Sequence, residues 1–276
     1  MTEQLHKLVE QTIAQGVGAR VFPLRWSDRR IWIKQAVPPK AKGWHRLQRL
    51  AATLTGVALL RPTVSPGGEK GLFNEAKALC RFKRAGILVP DLVAETDHWI
   101  ATGDNGAILQ TVIEDAVKAG DENRVAQLVG MAGLALASLH KAGFAHGAPL
   151  LRNMTIRDDE MIGFIDFEED PQDLMPLPDA QARDVLLFLF SIQRGFKRRP
   201  DLLRSGWATY LDAAGSDAPQ LPPLTHIVGI IRPIYILLSP FRRWLGTDAI
   251  NAMLAYRTLR RSLRRDTPPI AARATD

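Results

Sequence analysis

The chain has 276 residues and a formal net charge of +7, enough length for one large domain or two modest lobes around a sizeable core. The charge excess is uneven, because Arg242, Arg243, Arg257, Arg260, Arg261, Arg264 and Arg265 crowd the C-terminal end, and such a surface favours phosphates, nucleic acid or an anionic membrane face. A single cysteine, Cys80, excludes an internal disulfide, and the six histidines show no zinc-ligand spacing.

The opening MTEQLHKLVE lacks a basic-then-apolar leader, which with the lone cysteine points to the cytoplasm. RVFPLRWSDRRIWIKQA (20–36) alternates apolar and polar residues around a polar centre, which predicts a hairpin ending in the strand Ile31, Trp32, Ile33, Lys34. Trp44, Leu47, Leu50, Ala51 and Leu54 recur at helical steps before SPGG (65–68) breaks the pattern. A second helix is expected from about Glu69 to Ala85, closed by Gly86 and followed by Pro90. HWIATGDNGAILQTVIE (98–114) reads as two strands joined at Asp104-Asn105-Gly106, a hairpin turn signal.

EDAVKAGD (114–121) is the expected linker, which divides the chain into an N-terminal lobe over 1–115 and a C-terminal lobe over 116–276. ENRVAQLVGMAGLALASLHKAG then forms an apolar helix ended by Gly143, and MIGFIDFEED a strand with a polar exit. After the loop DPQDLMPLPD the chain turns helical again with AQARDVLLFLFSIQRG. The apolar run IVGIIRPIYILLSP (227–240) is interrupted by Arg232 and Pro233, so no membrane-spanning helix is expected. The fold class is α+β, a small antiparallel sheet with helix first and a mainly helical part second.

Phosphoryl transfer needs a cation on the nucleotide phosphates, a carboxylate to hold that cation, and oxygen ligands for Mg²⁺. Candidates stand in that order along the chain. Lys34 ends a predicted strand, Glu75 falls on the next long helix, and Asn153 follows Ala148 by five residues in HGAPLLRN. Asp166 comes thirteen residues after Asn153 in FIDFE, and Asp184 opens the apolar run VLLFLF. Each has a plainer role when taken alone: a solvated lysine, a surface glutamate, a turn-capping aspartate, a carboxylate facing a helix dipole. The order and spacing of all five are what single them out.

Through IWIK, NEAKAL, LHKAGFAHGAPLLRN, GFIDFE and ARDVLLFL, the chain resembles the protein kinase-like superfamily, and within it the bacterial lipopolysaccharide (Kdo/heptose) kinase and RIO-type branch. The resemblance implies a two-lobed kinase-like fold with ATP between the lobes. It implies Lys34 and Glu75 as the pair that anchors phosphate, Asn153 and Asp166 as Mg²⁺ ligands, and Asp184 as the holder of the catalytic-loop backbone. It implies too that TVIEDA (111–116), with Glu114, is the hinge that meets adenine, and that Gly16 and Gly18 of GVGARV (16–21) are what remains of a phosphate-covering glycine loop.

Three positions depart from the family pattern: the loop has two glycines, Glu168 stands where a glycine is usual, and Ala148 stands where the catalytic-loop aspartate belongs. A methyl group can neither orient an acceptor hydroxyl nor take its proton, help that contributes about 10²- to 10⁴-fold. Most phosphoryl-transfer catalysis is positioning and charge neutralisation, so a slow enzyme is expected rather than a dead one. Glu168 or Glu169 could substitute, or both could be solvated loop charges. Ala148 could mark a natural lineage without the base, an inactivating substitution, or a pseudokinase; Pro149 fixes the backbone where the loop turns.

RPIYILLSPFRRWLG and LAYRTLRRSLRR set arginines beside Leu254, Leu259 and Leu263. That suits an anionic membrane surface and a lipid-linked acceptor, or a core helix with a solvated arginine face. Nucleic acid is disfavoured because aromatic residues are too sparse there for stacking. The expected function is Mg-ATP-dependent phosphoryl transfer to a hydroxyl of a sugar or lipid-linked envelope component, in the cytoplasm or peripherally at the inner membrane face. The alternative is a catalytically inactive pseudokinase, a nucleotide-binding regulator or scaffold at the membrane surface.

Overall fold

The computed structural model describes residues 2–16, 19–37, 67–196, 199–244 and 246–266. The helical pattern from Trp44 to Leu54 and Gly18 lie outside the described residues, as do the side chains of Arg242, Arg243, Arg264 and Arg265.

The first element is a helix that the sequence pattern did not announce, α1 (Thr2–Ala14). It buries Leu5 and Val9, one turn apart. The predicted hairpin follows as β1 (Val21–Trp26) and β2 (Arg29–Gln35), with Trp26 opposite Arg29. Its two turn residues, Ser27 and Asp28, both have positive φ, 47° and 61°, the twist that a two-residue antiparallel connection requires. With β3 (Leu92–Glu95) and β4 (Trp99–Gly103) they form an antiparallel sheet in the order β1-β2-β4-β3.

Alternation along the strands decides which face each side chain takes. Ile31 and Ile33 pack with Leu5, Val9, Phe22, Trp99 and Ala101 on the α1 side. Lys34 therefore emerges on the other face, where its register partner Ile100 packs against Leu72 and Ala76. Those two belong to α2 (Gly68–Arg84), within one residue of the expected helix.

The expected hairpin at Asp104-Asn105-Gly106 does not form. β5 (Ala107–Ile108) pairs with β6 (Met154–Ile156), which pairs in turn with β7 (Ile162–Phe164). Buried Asn105 donates from Nδ2 to Thr155 Oγ1 at 2.9 Å. Gly106 has φ +99° and passes so close to Ile156 that a Cβ would meet its carbonyl oxygen at 2.2 Å. The three turn residues thus carry the chain from one sheet to the other. The expected linker over 114–121 instead begins inside α3 (Leu109–Lys118), whose Leu109 and Ile113 are fully buried in the helical core. The stretch 104–106 thus connects the sheet to a helix packed in the helical core.

The helical part is built on α4 (Glu122–Lys141), which starts where Asp121 accepts a hydrogen bond from the Arg124 N–H at 3.0 Å. α5 (Leu177–Gly195) meets its end where Gln181 bonds the His140 carbonyl, α6 (Pro200–Ala214) packs along it, and α7 (Leu221–Leu238) and α8 (Thr247–Asp266) pack on α5. The architecture is α+β, a small antiparallel sheet with helices followed by a mainly helical part.

α4 and α6 cross at glycine: a Cβ on Gly133 would lie 2.5 Å from the Gly206 carbonyl oxygen. α7 runs through Pro233, where the sequence pattern suggested a break. The hydrogen bond that Pro233 cannot make belongs to Gly229, and both residues are exposed, so water can serve that carbonyl. By length and composition α7 is apolar enough to cross a membrane, with 17% of its span buried. Its first half is core, through Leu224, Ile227 and Val228, and the Tyr256 hydroxyl donates to the Val228 carbonyl at 3.1 Å. Its second half leaves Ile234, Ile236 and Leu237 exposed, with Trp244 beyond.

The two kinds of helical glycine predict opposite responses to the same substitution. Gly133→Ala drives a methyl into backbone at the α4–α6 crossing and should cost about 1–3 kcal/mol. Gly229→Ala meets nothing within 4 Å and should gain up to about 1 kcal/mol from helix propensity. Thermal denaturation of both variants checks the contrast, and equal melting temperatures would contradict the close crossing.

Candidate functional site

Four side chains from separate stretches of chain meet on the inner face of the sheet. Lys34 Nζ lies 2.5 Å from Glu75 Oε2, 2.7 Å from Asp166 Oδ1 and 2.7 Å from Glu168 Oε1. Glu75 arrives on the buried face of α2, in line with Leu72, Ala76 and Leu79. Asp166 and Glu168 lie in the segment that follows β7, and both reach the lysine. Arg20 completes the group by pairing with Glu168. Its carbonyl accepts the Gln35 N–H at 2.9 Å, which holds it beside the lysine strand. The side chains of Lys34, Glu75 and Glu168 are 12%, 7% and 9% exposed and that of Asp166 is 47% exposed, so the cluster opens to solvent at Asp166.

Three carboxylates face two cations here, an excess of one negative charge. Burial alone would drive the Lys34 ammonium to lose its proton, but Glu75, Asp166 and Glu168 outweigh it and raise the pKa above the ordinary lysine range. Burial pushes Glu75 up to about 7, helped by repulsion from Asp166 and Glu168 and opposed by Lys34. For Asp166 burial works upward too, but the charge and hydrogen bond of Lys34 prevail and lower its pKa. Asp166 also holds φ +70°, a left-handed conformation in which a non-glycine residue is strained.

Asn153 stands next to this cluster through the backbone, because its carbonyl accepts the Ile165 N–H at 3.0 Å. It is buried, and its Nδ2 donates to the Ala148 carbonyl at 3.0 Å. The remaining polar atom of its side chain is the amide oxygen, the kind of ligand a hard cation takes.

The loop bearing Ala148 is fixed from behind. Asp184 is fully buried and accepts the N–H groups of His146 at 2.6 Å and Gly147 at 2.9 Å. It sits in the second turn of α5, which starts at Leu177, so a helix-dipole role at an N-terminus does not account for it. Arg183 donates to the Gly147 carbonyl at 2.6 Å, and Gln181 to those of His140 and Phe144 at 2.9 Å each. Behind Asp184, His140 joins the chain of contacts to Tyr210 and Gln220, with 2.7 Å between His140 Nδ1 and the Tyr210 hydroxyl. His146 is buried against Phe164 and Phe167, and burial lowers its pKa. Its Nδ1 accepts the Ala148 N–H at 3.3 Å, so the neutral ring carries its proton on Nε2.

Other expected site residues lie elsewhere. Gly16 ends α1 with φ +87° and donates to the Ile13 carbonyl at 3.0 Å, a helix stop. Glu114 accepts from Gln110 Nε2 at 2.7 Å on α3, within a helix and not in an extended hinge. Glu168 is no solvated loop charge, since it is buried on Lys34. Glu169 lies 3.8 Å from Arg183. The sequence reading missed Arg20 altogether and took Glu168 for a solvated loop residue, because the lysine that it is buried on lies far away along the chain.

No described protein family and no curated protein matches the chain. Among solved structures it is similar to one described as the medium-resolution structure of the bifunctional kinase–methyltransferase WbdD, at 17% identity and a TM-score of 0.35. That match covers 77% of this chain and 49% of the other, so the chain spans about half the length of that protein.

The raised pKa of Glu75 sets a pH dependence. Between pH 4.5 and about 7 the folded protein keeps a proton on Glu75 that the unfolded chain releases, so stability from this group falls as pH rises through that window. The loss is at most roughly 3 kcal/mol at about 1.36 kcal/mol per pKa unit. The melting temperature of the wild type relative to Glu75→Gln should therefore drop between pH 5 and pH 7.5. A difference that stays constant with pH would show that Glu75 does not titrate there.

Proposed function

We propose that this chain binds Mg-ATP and transfers a phosphoryl group slowly to a hydroxyl, as a kinase-like phosphotransferase. The single observation that carries the reading is the convergence of Lys34, Glu75 and Asp166, with Asn153 held beside them. Lys34 is the buried cation of the cluster and the group suited to a nucleotide phosphate, and Glu75 pairs with it. Glu75, Asp166 and Glu168 place carboxylate oxygens within 4.8 Å of one another, and their excess negative charge suits a hard divalent cation. Asn153 and Asp166 are the residues that would hold Mg²⁺, which when bound neutralises charge on the phosphates.

Lys34 spends its donors on three carboxylates, so nucleotide must displace at least one of them. Asp166 is the exposed one and the one with a strained backbone, hence the carboxylate able to turn toward a metal. Glu168 is locked from both sides by Lys34 and Arg20 and competes with phosphate for the ammonium. Ala148 offers no base, so the residues present act by positioning and charge, which suits slow turnover. The acceptor is a sugar or lipid-linked envelope component by family resemblance. The exposed Ile234, Ile236, Leu237 and Trp244 near the arginine-bearing α8 support a cytoplasmic protein that lies peripherally on an anionic membrane face.

A second reading is favoured by Ala148 together with the saturated Lys34: a pseudokinase that binds nucleotide as a structural ligand and serves as a regulator or scaffold. One set of measurements separates the two. Millimolar Mg-ATP should raise the melting temperature by several degrees, since ligand at about a hundred times its Kd adds roughly 2.7 kcal/mol, and Asp166→Ala should abolish the rise. ATP turnover above the Asp166→Ala background supports transfer; a shift without turnover supports the pseudokinase; no shift removes both.

Glu168→Gln should strengthen the Mg-ATP response, with apparent affinity rising several-fold, because one anion leaves the lysine. An unchanged or weaker response in a calorimetric titration would mean that Glu168 supports the nucleotide site.

A further inference from the structure

We infer that the helical part carries a second binding site, for a phosphate borne on a small hydroxylated body, in the cleft between α5, α6 and α8. Arg204 comes from α6, Arg257 and Arg261 from α8, and the cleft they share has a volume of about 440 Å³, within the roughly 300–1,000 Å³ of small-molecule sites. The reading goes beyond the phosphoryl-transfer site and does not need it, because the two share no residue.

Charge is the first argument. Arg257 and Arg261 are one helical turn apart and present their guanidinium groups on one face, where like charges repel. Arg204 adds a third from the neighbouring helix, and no carboxylate lines the cleft. Several arginines elsewhere are matched, since Arg20, Arg81, Arg124, Arg183 and Arg199 each reach an acidic side chain. Arg204, Arg257 and Arg261 form no ion pair among the described residues. Asp201, the acid one turn from Arg204, is bound by Arg199 through contacts of 2.8 to 3.2 Å. Asp201 still attracts Arg204 by charge, but the two α8 arginines meet no carboxylate in the cleft, and an anion there relieves their repulsion.

The remaining lining narrows the ligand. Gln193 is buried at the base of the cleft, and Thr258 and Ser262 bring hydroxyls from α8. Guanidinium groups take phosphate oxygens in pairs of charge-assisted hydrogen bonds, while the amide and the two hydroxyls suit the hydroxyl groups of a sugar or polyol. Half-exposed Leu254 at the edge tolerates an apolar extension. A soluble sugar phosphate and a phosphorylated lipid headgroup share this chemistry.

The test uses the full chain, glucose 1-phosphate as the soluble probe, and vesicles of phosphatidylcholine carrying phosphatidylglycerol as the lipid probe. Binding is measured for the wild type, for Arg257→Gln/Arg261→Gln, for Arg204→Gln on the other helix, and for Arg25→Gln/Arg29→Gln. The last pair removes equal charge from the distant β1–β2 hairpin. At least one probe should bind the wild type, the cleft variants should lose about tenfold or more in affinity, and the hairpin variant should match the wild type. Binding of glucose 1-phosphate assigns a soluble ligand, and binding of the vesicles alone assigns a headgroup. The cleft variants should melt no lower than the wild type, since repulsion is relieved; should the double variant not fold, Arg204→Gln carries the comparison. Failure of both probes to bind, or equal loss in the cleft and hairpin variants, overturns the site.

Discussion

A lysine ammonium buried among Glu75, Asp166 and Glu168 is the contact on which the relation between the two parts of this protein depends. An unpaired charge in such a place would be too costly to keep, so Lys34 stays buried only while carboxylates remain to face it. Those contributors come from β2, α2 and the segment after β7, with Arg20 as an outer brace. One constellation thereby fixes how the sheet, its helix and the helical part meet. The covalent crossing at 104–106 adds a second tie, through Asn105 and Thr155.

The cluster sits between a rigid wall and a strained element. The wall is the loop from His146 to Asn153, pinned by Asp184 and Arg183 through backbone groups, so its shape does not depend on the side chain at position 148. The strained element is Asp166, exposed and left-handed in backbone. Rigidity behind and strain in front suit a site in which one carboxylate moves while its neighbours stay. The methyl group of Ala148 brings no proton acceptor to this arrangement, and the loop that carries it is held through its backbone.

Charge is deployed in two contrasting ways. At Lys34 the cations are outnumbered by carboxylates, and an incoming anion has to compete. In the cleft between α6 and α8 no carboxylate stands among the lining arginines. The net charge of +7 is therefore no uniform coat, since the carboxylates outnumber the cations around Lys34.

Much of the local structure was legible in the sequence because it follows from local periodicity. Alternation from Val21 to Gln35 gave the hairpin and the face of Lys34, and helical spacing around Leu72, Ala76 and Leu79 gave the helix that brings Glu75. The order Asn153 then Asp166 marked two residues that the backbone sets side by side. What the sequence misplaced depends on partners far along the chain. Asp104-Asn105-Gly106 has the residues of a tight turn, yet Thr155 and the Ile156 carbonyl draw it straight from one sheet to the next. Glu114 looked like a hinge residue, but burial of Leu109 and Ile113 winds that stretch into helix. Arg20 and Glu168 joined the cluster only when distant segments converged on Lys34. Propensity and periodicity act over a few residues and fix the elements, whereas a buried charge is satisfied only by groups that the completed fold brings within hydrogen-bonding reach, and that closure was decided by the tertiary structure alone.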